Sequence, residues 1–112
     1  MREVIVRGDG FELPLLQSEV MPPGFHHGFT TRRGGVSRPP FDSLNLGGRW
    51  GDQPDRVAEN HRRLHAAAGR DPVYFATQVH GTDSATVVAG AAREEIAGAR
   101  ADALIAPRPG PA

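Results

Sequence analysis

Strand-like runs toward both ends of the sequence, with an amphipathic helix between them, predict an α+β fold. The helix rests on apolar residues at helical spacing between an acidic start and a glycine stop. The strands rest on β-branched and aromatic runs bounded by Gly, Pro, Asn and Asp. The 14 Gly and 10 Pro lie between these segments rather than in one tract, a pattern of turns and not of disorder.

Val4-Ile5-Val6 and Phe11 to Leu16 flank Arg7-Gly8-Asp9-Gly10, which predicts an N-terminal β-hairpin. Arg7-Gly8-Asp9 is also an adhesion tripeptide, and here it reads as a coincidence of turn composition. Met21-Pro22-Pro23-Gly24 is a connector. His26 to Arg32 predicts a further strand, with His27, Phe29 and Thr31 on one face and Gly28, Thr30 and Arg32 on the other. The loop that follows, Arg32 to Pro40, is dense in Gly, Arg and Pro. Gly34 and Gly35 would let backbone N–H groups approach an anion, and Arg32 offers bidentate contacts to phosphate or carboxylate oxygens. The plainer alternative is a solvated turn. No Gly-Lys-Ser or Gly-Lys-Thr follows, so the loop is not a P-loop. Asn45 then lies between Leu44 and Leu46, so its amide is either a structural hydrogen-bonder or a ligand reader.

Asp52-Gln53-Pro54-Asp55 opens the helix, with Asp52 as N-cap, Pro54 in the first turn and Asp55 at the positive end of the dipole. Val57, His61, Leu64 and Ala68 mark its inner face, and Gly69 closes it. His61 and His65 stand one turn apart, a spacing that can clip a metal. The zincin glutamate is missing, however, and Glu59, Arg62 and Arg63 predict a solvated face. After Asp71-Pro72, the run Val73 to His80 predicts a strand. On it Gln78 and His80 share one face and project together where the backbone turns at Gly81. A surface histidine at a strand end is the competing reading. Ala85 to Val88 reads as a strand continuing that sheet, Ala91 to Ala99 as a short helix around Ile96, and Asp102 to Ile105 as the start of one more strand. Pro107 to Ala112 is a turn-like ending.

The 112 residues fit one modest domain. There is no Cys, hence no disulfide and no thiol nucleophile within the chain. Thirteen basic residues, all Arg, balance thirteen acidic ones, which argues against a general nucleic-acid binder. No apolar run is long enough to cross a membrane and no signal-peptide core is present, so a cytoplasmic location is expected.

Three segments in order carry a family resemblance: His27-Gly28-Phe29-Thr30-Thr31-Arg32-Arg33-Gly34-Gly35-Val36-Ser37; Ser43-Leu44-Asn45-Leu46-Gly47 with Gly51-Asp52 and Glu59-Asn60; and Gln78-Val79-His80-Gly81. From about His27 to Ile105 the chain resembles the N-terminal half of the laccase-domain family, known first as multicopper polyphenol oxidases and later as purine nucleoside phosphorylases. The resemblance implies layered mixed β-sheets flanked by helices. It also implies a zinc site in which a histidine equivalent to His80 is joined by a cysteine and a second histidine. The family's Ala-Asp-Cys and His-Ala-Gly-Trp segments are absent here. The chain is therefore expected to be the N-terminal part of a single domain, inactive alone, whose parent phosphorolyses purine nucleosides such as adenosine, inosine or methylthioadenosine. Adenosine deamination belongs to the same implied set of activities.

On that reading His80 is the catalytic position and a zinc ligand, and Gln78 is a neighbouring substrate contact. Arg32, Gly34 and Gly35 are candidates for phosphate or ribose contacts, and Asn45 for a polar substrate contact. The expected partners are a purine nucleoside and phosphate, with neither nucleic acid nor membrane. A copper-dependent polyphenol oxidase is the alternative, and it calls for clustered His and Cys ligands. A non-catalytic anion-binding fragment is another.

Overall fold

A computed structural model describes residues 1–69, 73–88 and 90–106. They fall into two compact units, Met1–Ala67 and Ala68–Ala112. Helices are combined with both antiparallel and parallel strand pairs, an α+β arrangement.

In the first unit β1 (Arg2–Gly8) and β2 (Phe11–Gln17) form the expected hairpin around Asp9-Gly10, in register from Gly8↔Phe11 to Arg2↔Gln17. Gly10 supplies the positive φ (78°) that such a tight connection needs. Alternation along β2 sends Phe11, Leu13 and Leu15 to one face. Phe11 and Leu13 are buried with Leu44, and Leu15, Leu46, Leu64 and Ala67 pack against them. A Leu or Phe side chain contributes about 1.5–3 kcal/mol when fully removed from water.

The strand expected over His26 to Arg32 shrinks to β3 (Phe29–Thr30), paired with Leu15 and Leu16 of β2. Its continuation is diverted. The Arg32 carbonyl accepts from the backbone N–H groups of Ser43 and Leu44, both at 2.7 Å, and from Ser43 Oγ at 3.1 Å. The backbone here serves the neighbouring loop instead of the sheet.

Helix α1 (Pro54–Ala68) follows. Its N-cap is Gln53 rather than Asp52, because the Gln53 carbonyl accepts the first helical bonds from Arg56 and Val57. Asp52 sits one residue earlier, where its Oδ1 accepts from the Gln53 N–H at 2.8 Å. Gly69 closes the helix at φ 67°, as its sequence position predicts. The buried stripe differs from the expected one in two places. Asn60 is buried within it, and Ala67 rather than the exposed Ala68 meets the core.

In the second unit β4 (Ser84–Thr86) pairs in parallel with β5 (Ala103–Ile105), and α2 (Arg93–Ala97) lies between them in sequence with Ile96 buried. The strand expected over Val73 to His80 does not form. Its only ladder element among the described residues is a bridge between Thr77 and Arg100, with Thr77 N–H donating to Ala99 O at 2.8 Å and Ala101 N–H to Thr77 O at 3.1 Å. β-branched residues favour a strand only where neighbours accept their backbone groups, and farther along this segment those groups go elsewhere, as described below. Asp71-Pro72 and Pro107 to Ala112 lie outside the described residues. No helix among the described residues is long and apolar enough to cross a membrane.

Candidate functional site

The residues singled out by sequence divide between the two units: Arg32, Gly34, Gly35 and Asn45 in the first, Gln78 and His80 in the second.

In the first unit the loop from Arg32 to Leu46 is organised on the buried amide of Asn60. Its Oδ1 accepts from the Val36 N–H at 2.8 Å. Its Nδ2 donates to Ser37 Oγ at 2.9 Å and to the Asn45 carbonyl at 2.8 Å. Ser37 Oγ donates onward to Asp52 Oδ2 at 2.5 Å. Asn45 Nδ2 donates to that same oxygen at 3.1 Å and to Gly47 O at 3.2 Å, while its Oδ1 accepts from the Gly47 N–H at 3.1 Å. Both amide hydrogens of Asn45 are thus engaged inside the protein, which favours the structural hydrogen-bonder of the two roles its position allowed. Donation from Ser37 holds the Asp52 carboxyl below its ordinary range, assisted by Asn45 and the Gln53 N–H.

The glycines are demanded by this packing. A Cβ on Gly35 would stand 2.2 Å from Ser43 O and 2.5 Å from Asn60 Oδ1, and one on Gly34 would stand 2.7 Å from Leu13 Cδ1. The Gly35 N–H donates to Ser43 Oγ at 3.2 Å. Gly34 O accepts from Arg63 Nη1 at 2.9 Å, and the Arg63 guanidinium also bonds Glu59 and lies over the Phe11 ring. The helix face expected to be solvated therefore holds the loop through Arg63. His61 also turns inward, its Nε2–H donating to Leu46 O at 2.8 Å.

Arg32 lies at the rim. Its Nε donates to Asp42 O at 3.1 Å and its Nη2 to Asp42 Oδ2 at 2.6 Å, while the side chain remains 72% exposed. Arg32, Phe41, Asp42 and Asn45 are among the residues lining an open hollow of about 450 Å³. A guanidinium this exposed can exchange a carboxylate for another anion at small cost.

In the second unit Gln78 and His80 are both exposed. Alternation along a strand does not bring them together, because His80 adopts φ 57° and Val79-His80-Gly81 is a turn. One carboxylate receives the whole turn. Asp102 Oδ1 accepts from the N–H groups of Val79 and Gly81, each at 3.0 Å, and Oδ2 from that of His80 at 3.1 Å. These bonds, that of Gly81 foremost, lower the Asp102 pKa. In the sequence Asp102 stands out only as a strand start and Asn60 only as part of a motif. An Asp next to a short strand, with a histidine-bearing turn elsewhere in the chain, is a weak signal of such capping.

Among the described residues, no group of three or more His, Cys, Asp or Glu side chains is placed to hold a metal ion. His80 presents one exposed imidazole, which fits a metal as a single ligand.

The profile of the family described as multi-copper polyphenol oxidoreductase laccase matches residues 26–112. The chain is 47% identical over 92 residues to purine nucleoside phosphorylase YfiH of Shigella flexneri, across 80% of this chain and 36% of that protein. It is likewise 47% identical over 91 residues to purine nucleoside phosphorylase YfiH of Escherichia coli, across 80% and 35%. Purine nucleoside phosphorylase SCO2081 of Streptomyces coelicolor is 48% identical over 66 residues, across 57% and 27%. The chain spans about a third of the length of the first two of these curated relatives.

Proposed function

Since the chain belongs to the multi-copper polyphenol oxidoreductase laccase family, we propose that it takes part in the phosphorolysis of purine nucleosides, through the His80 turn of its second unit and the Arg32–Asn45 loop of its first. The printed names of its relatives support the reaction class. Adenosine, inosine and methylthioadenosine are the proposed substrates, and deamination of adenosine is a further proposed activity.

The observation that carries the reading is His80 itself: an exposed imidazole on a backbone held at φ 57° by an internal carboxylate. A non-glycine residue in that region costs about 1–2 kcal/mol, and such strain persists where the surroundings over-determine it. In phosphorolysis, phosphate attacks C1′ of the ribose and the base departs as positive charge grows on the sugar. The protein must therefore place an anion and relieve charge on the leaving base. Arg32 is the proposed phosphate contact, with Gly34 and Gly35 shaping the loop that presents it. Asn45 anchors that loop through its own amide, and Gln78 is a proposed substrate contact.

Zinc is the proposed metal and copper the alternative, with His80 as one ligand. A zinc ion would supply Lewis acidity toward the departing base. About three protein ligands are usual at a catalytic zinc. Donors beyond the described residues are thus required, and none of the roles above runs through the metal. Copper oxidation of phenols calls for several clustered imidazoles, and the His61 ring is already committed to the Leu46 carbonyl.

The test is phosphate-dependent release of free base from inosine and adenosine by the intact protein and by His80→Ala. The reading predicts turnover that requires phosphate and largely disappears in the variant. Near-wild-type turnover by purified His80→Ala would remove His80 from the site, and oxygen uptake with a phenol in place of phosphorolysis would favour the oxidase.

A further inference from the structure

The geometry of the second unit points to Asp102 as the positioning residue for His80. The inference rests on the role proposed above for His80, but its structural half can be tested separately.

Three successive backbone N–H groups, those of Val79, His80 and Gly81, end on the two oxygens of one side chain. His80 is the one non-glycine residue among the described residues with a positive φ. The residue given the unfavourable backbone is thus the middle one of the three that the carboxylate receives. An L-residue at φ 57° relaxes toward the ordinary α or β regions unless something opposes it, and charge-assisted bonds to a carboxylate are stronger than neutral ones.

Asp102 is itself fixed. It directly precedes β5, which is laddered to β4, and its own N–H donates to Asp83 O at 3.1 Å. On the other side the Thr77 bridge ties the start of the turn to Ala99 and Ala101. The segment 77–83 is therefore fastened at both ends and at its middle to the segment 99–102. The imidazole leaves from the middle fastening. A side chain that acts from an exposed turn requires this kind of support, since a misplacement of about 1 Å can cost on the order of a hundredfold in rate. Asp102 touches the backbone of His80 and acts through it, leaving the ring free for its own contact.

The experiment compares wild type, Asp102→Ala and Asp102→Asn in the full chain by ¹⁵N relaxation. It then compares the same substitutions in the intact protein by phosphorolysis of inosine. In wild type the amides of Val79, His80 and Gly81 should be as ordered as helix α1. In Asp102→Ala all three should fall to loop-like order, below about 0.6, while amides elsewhere keep their shifts. In Asp102→Asn, Oδ1 still serves Val79 and Gly81 but an NH₂ faces the His80 N–H, so His80 should loosen most; this variant decides the matter if Asp102→Ala fails to fold. In turnover, kcat should drop about tenfold or more with little change in nucleoside KM, and Asp102→Ala should add no further loss to His80→Ala. Unchanged order at 79–81 overturns the inference, as does an equal loss of turnover when His80 is already Ala. If wild type shows no phosphorolysis, the proposed function falls and the amide order alone decides whether Asp102 positions His80.

Discussion

Asn60 reaches from helix α1 to Ser37 with an Nδ2···Oγ distance of 2.9 Å, and Asn60 is fully buried. The same amide also bonds Val36 and Asn45. Replacing Asn60 by Ala strands the Val36 N–H and the Asn45 carbonyl and takes from Ser37 Oγ the bond that it accepts. A buried polar group left without a partner costs about 1–3 kcal/mol. Asn60→Ala should therefore destabilise the fold by about 3 kcal/mol or more, read as a shift in the urea midpoint at unchanged slope. A loss below about 1 kcal/mol would show that water replaces the amide.

Gly35→Ala tests the same knot by steric means. The added methyl would overlap Ser43 O, Asn60 Oδ1 and the Leu44 Cα, the last at 2.6 Å. Two of these atoms are backbone and cannot swing aside. Overpacking of this sort costs typically about 1–3 kcal/mol. The expected outcome is a lower midpoint, whereas Gly48→Ala, with open space around its Cβ, should change little.

Arg32→Ala separates binding from stability. The exposed pair with Asp42 contributes only about 0.2–1 kcal/mol, so the unfolding midpoint should hardly move. A charged contact to phosphate is worth about 1.5–3 kcal/mol. The apparent phosphate KM of the intact protein should then rise about tenfold or more. A large fall in midpoint with unchanged KM would assign Arg32 to structure alone.

Acid should weaken the fold. Hydrogen bonds from Arg62 and then Arg63 hold Glu59 down to about 2 from an ordinary 4.5, and Asp52 and Asp102 are also lowered. A carboxylate with a depressed folded value contributes stability above its unfolded pKa, and that contribution fades as pH falls through the folded value. The thermal midpoint should thus decline from about pH 5 toward about pH 2. Glu59→Gln should flatten part of the decline, only a modest part because this ion pair is partly open to solvent and its salt.

What could be read from the amino-acid order follows the range of the interactions. The β1–β2 hairpin was legible because its turn and its alternating pattern lie within a few residues of one another. The closing Gly69 and the helix around Ile96 were legible for the same reason. Asn60 was not recognisable as the loop's anchor, since a polar residue within an apolar stripe gains its meaning from Val36, Ser37 and Asn45, all distant in sequence. Val73 to His80 carried strong strand propensity and still formed no strand. The backbone groups at 79–81 found a carboxylate at position 102 instead of a neighbouring strand. His80, Gln78, Arg32 and Asn45 were visible as a motif, but the different surroundings of each were not.

The capping of residues 79–81 by a side chain some twenty positions downstream also bears on modularity. Grafting Gln78-Val79-His80-Gly81 into another scaffold would carry the imidazole without the acceptor for its backbone. The smallest transplantable piece runs from Thr77 through Ile105, including the β4–β5 ladder that holds Asp102 in place. For the same reason, insertions should be tolerated around Gly90, where a Cβ would meet nothing, and rejected between Asp102 and β5, where one added residue would pull the carboxylate out of reach of the turn.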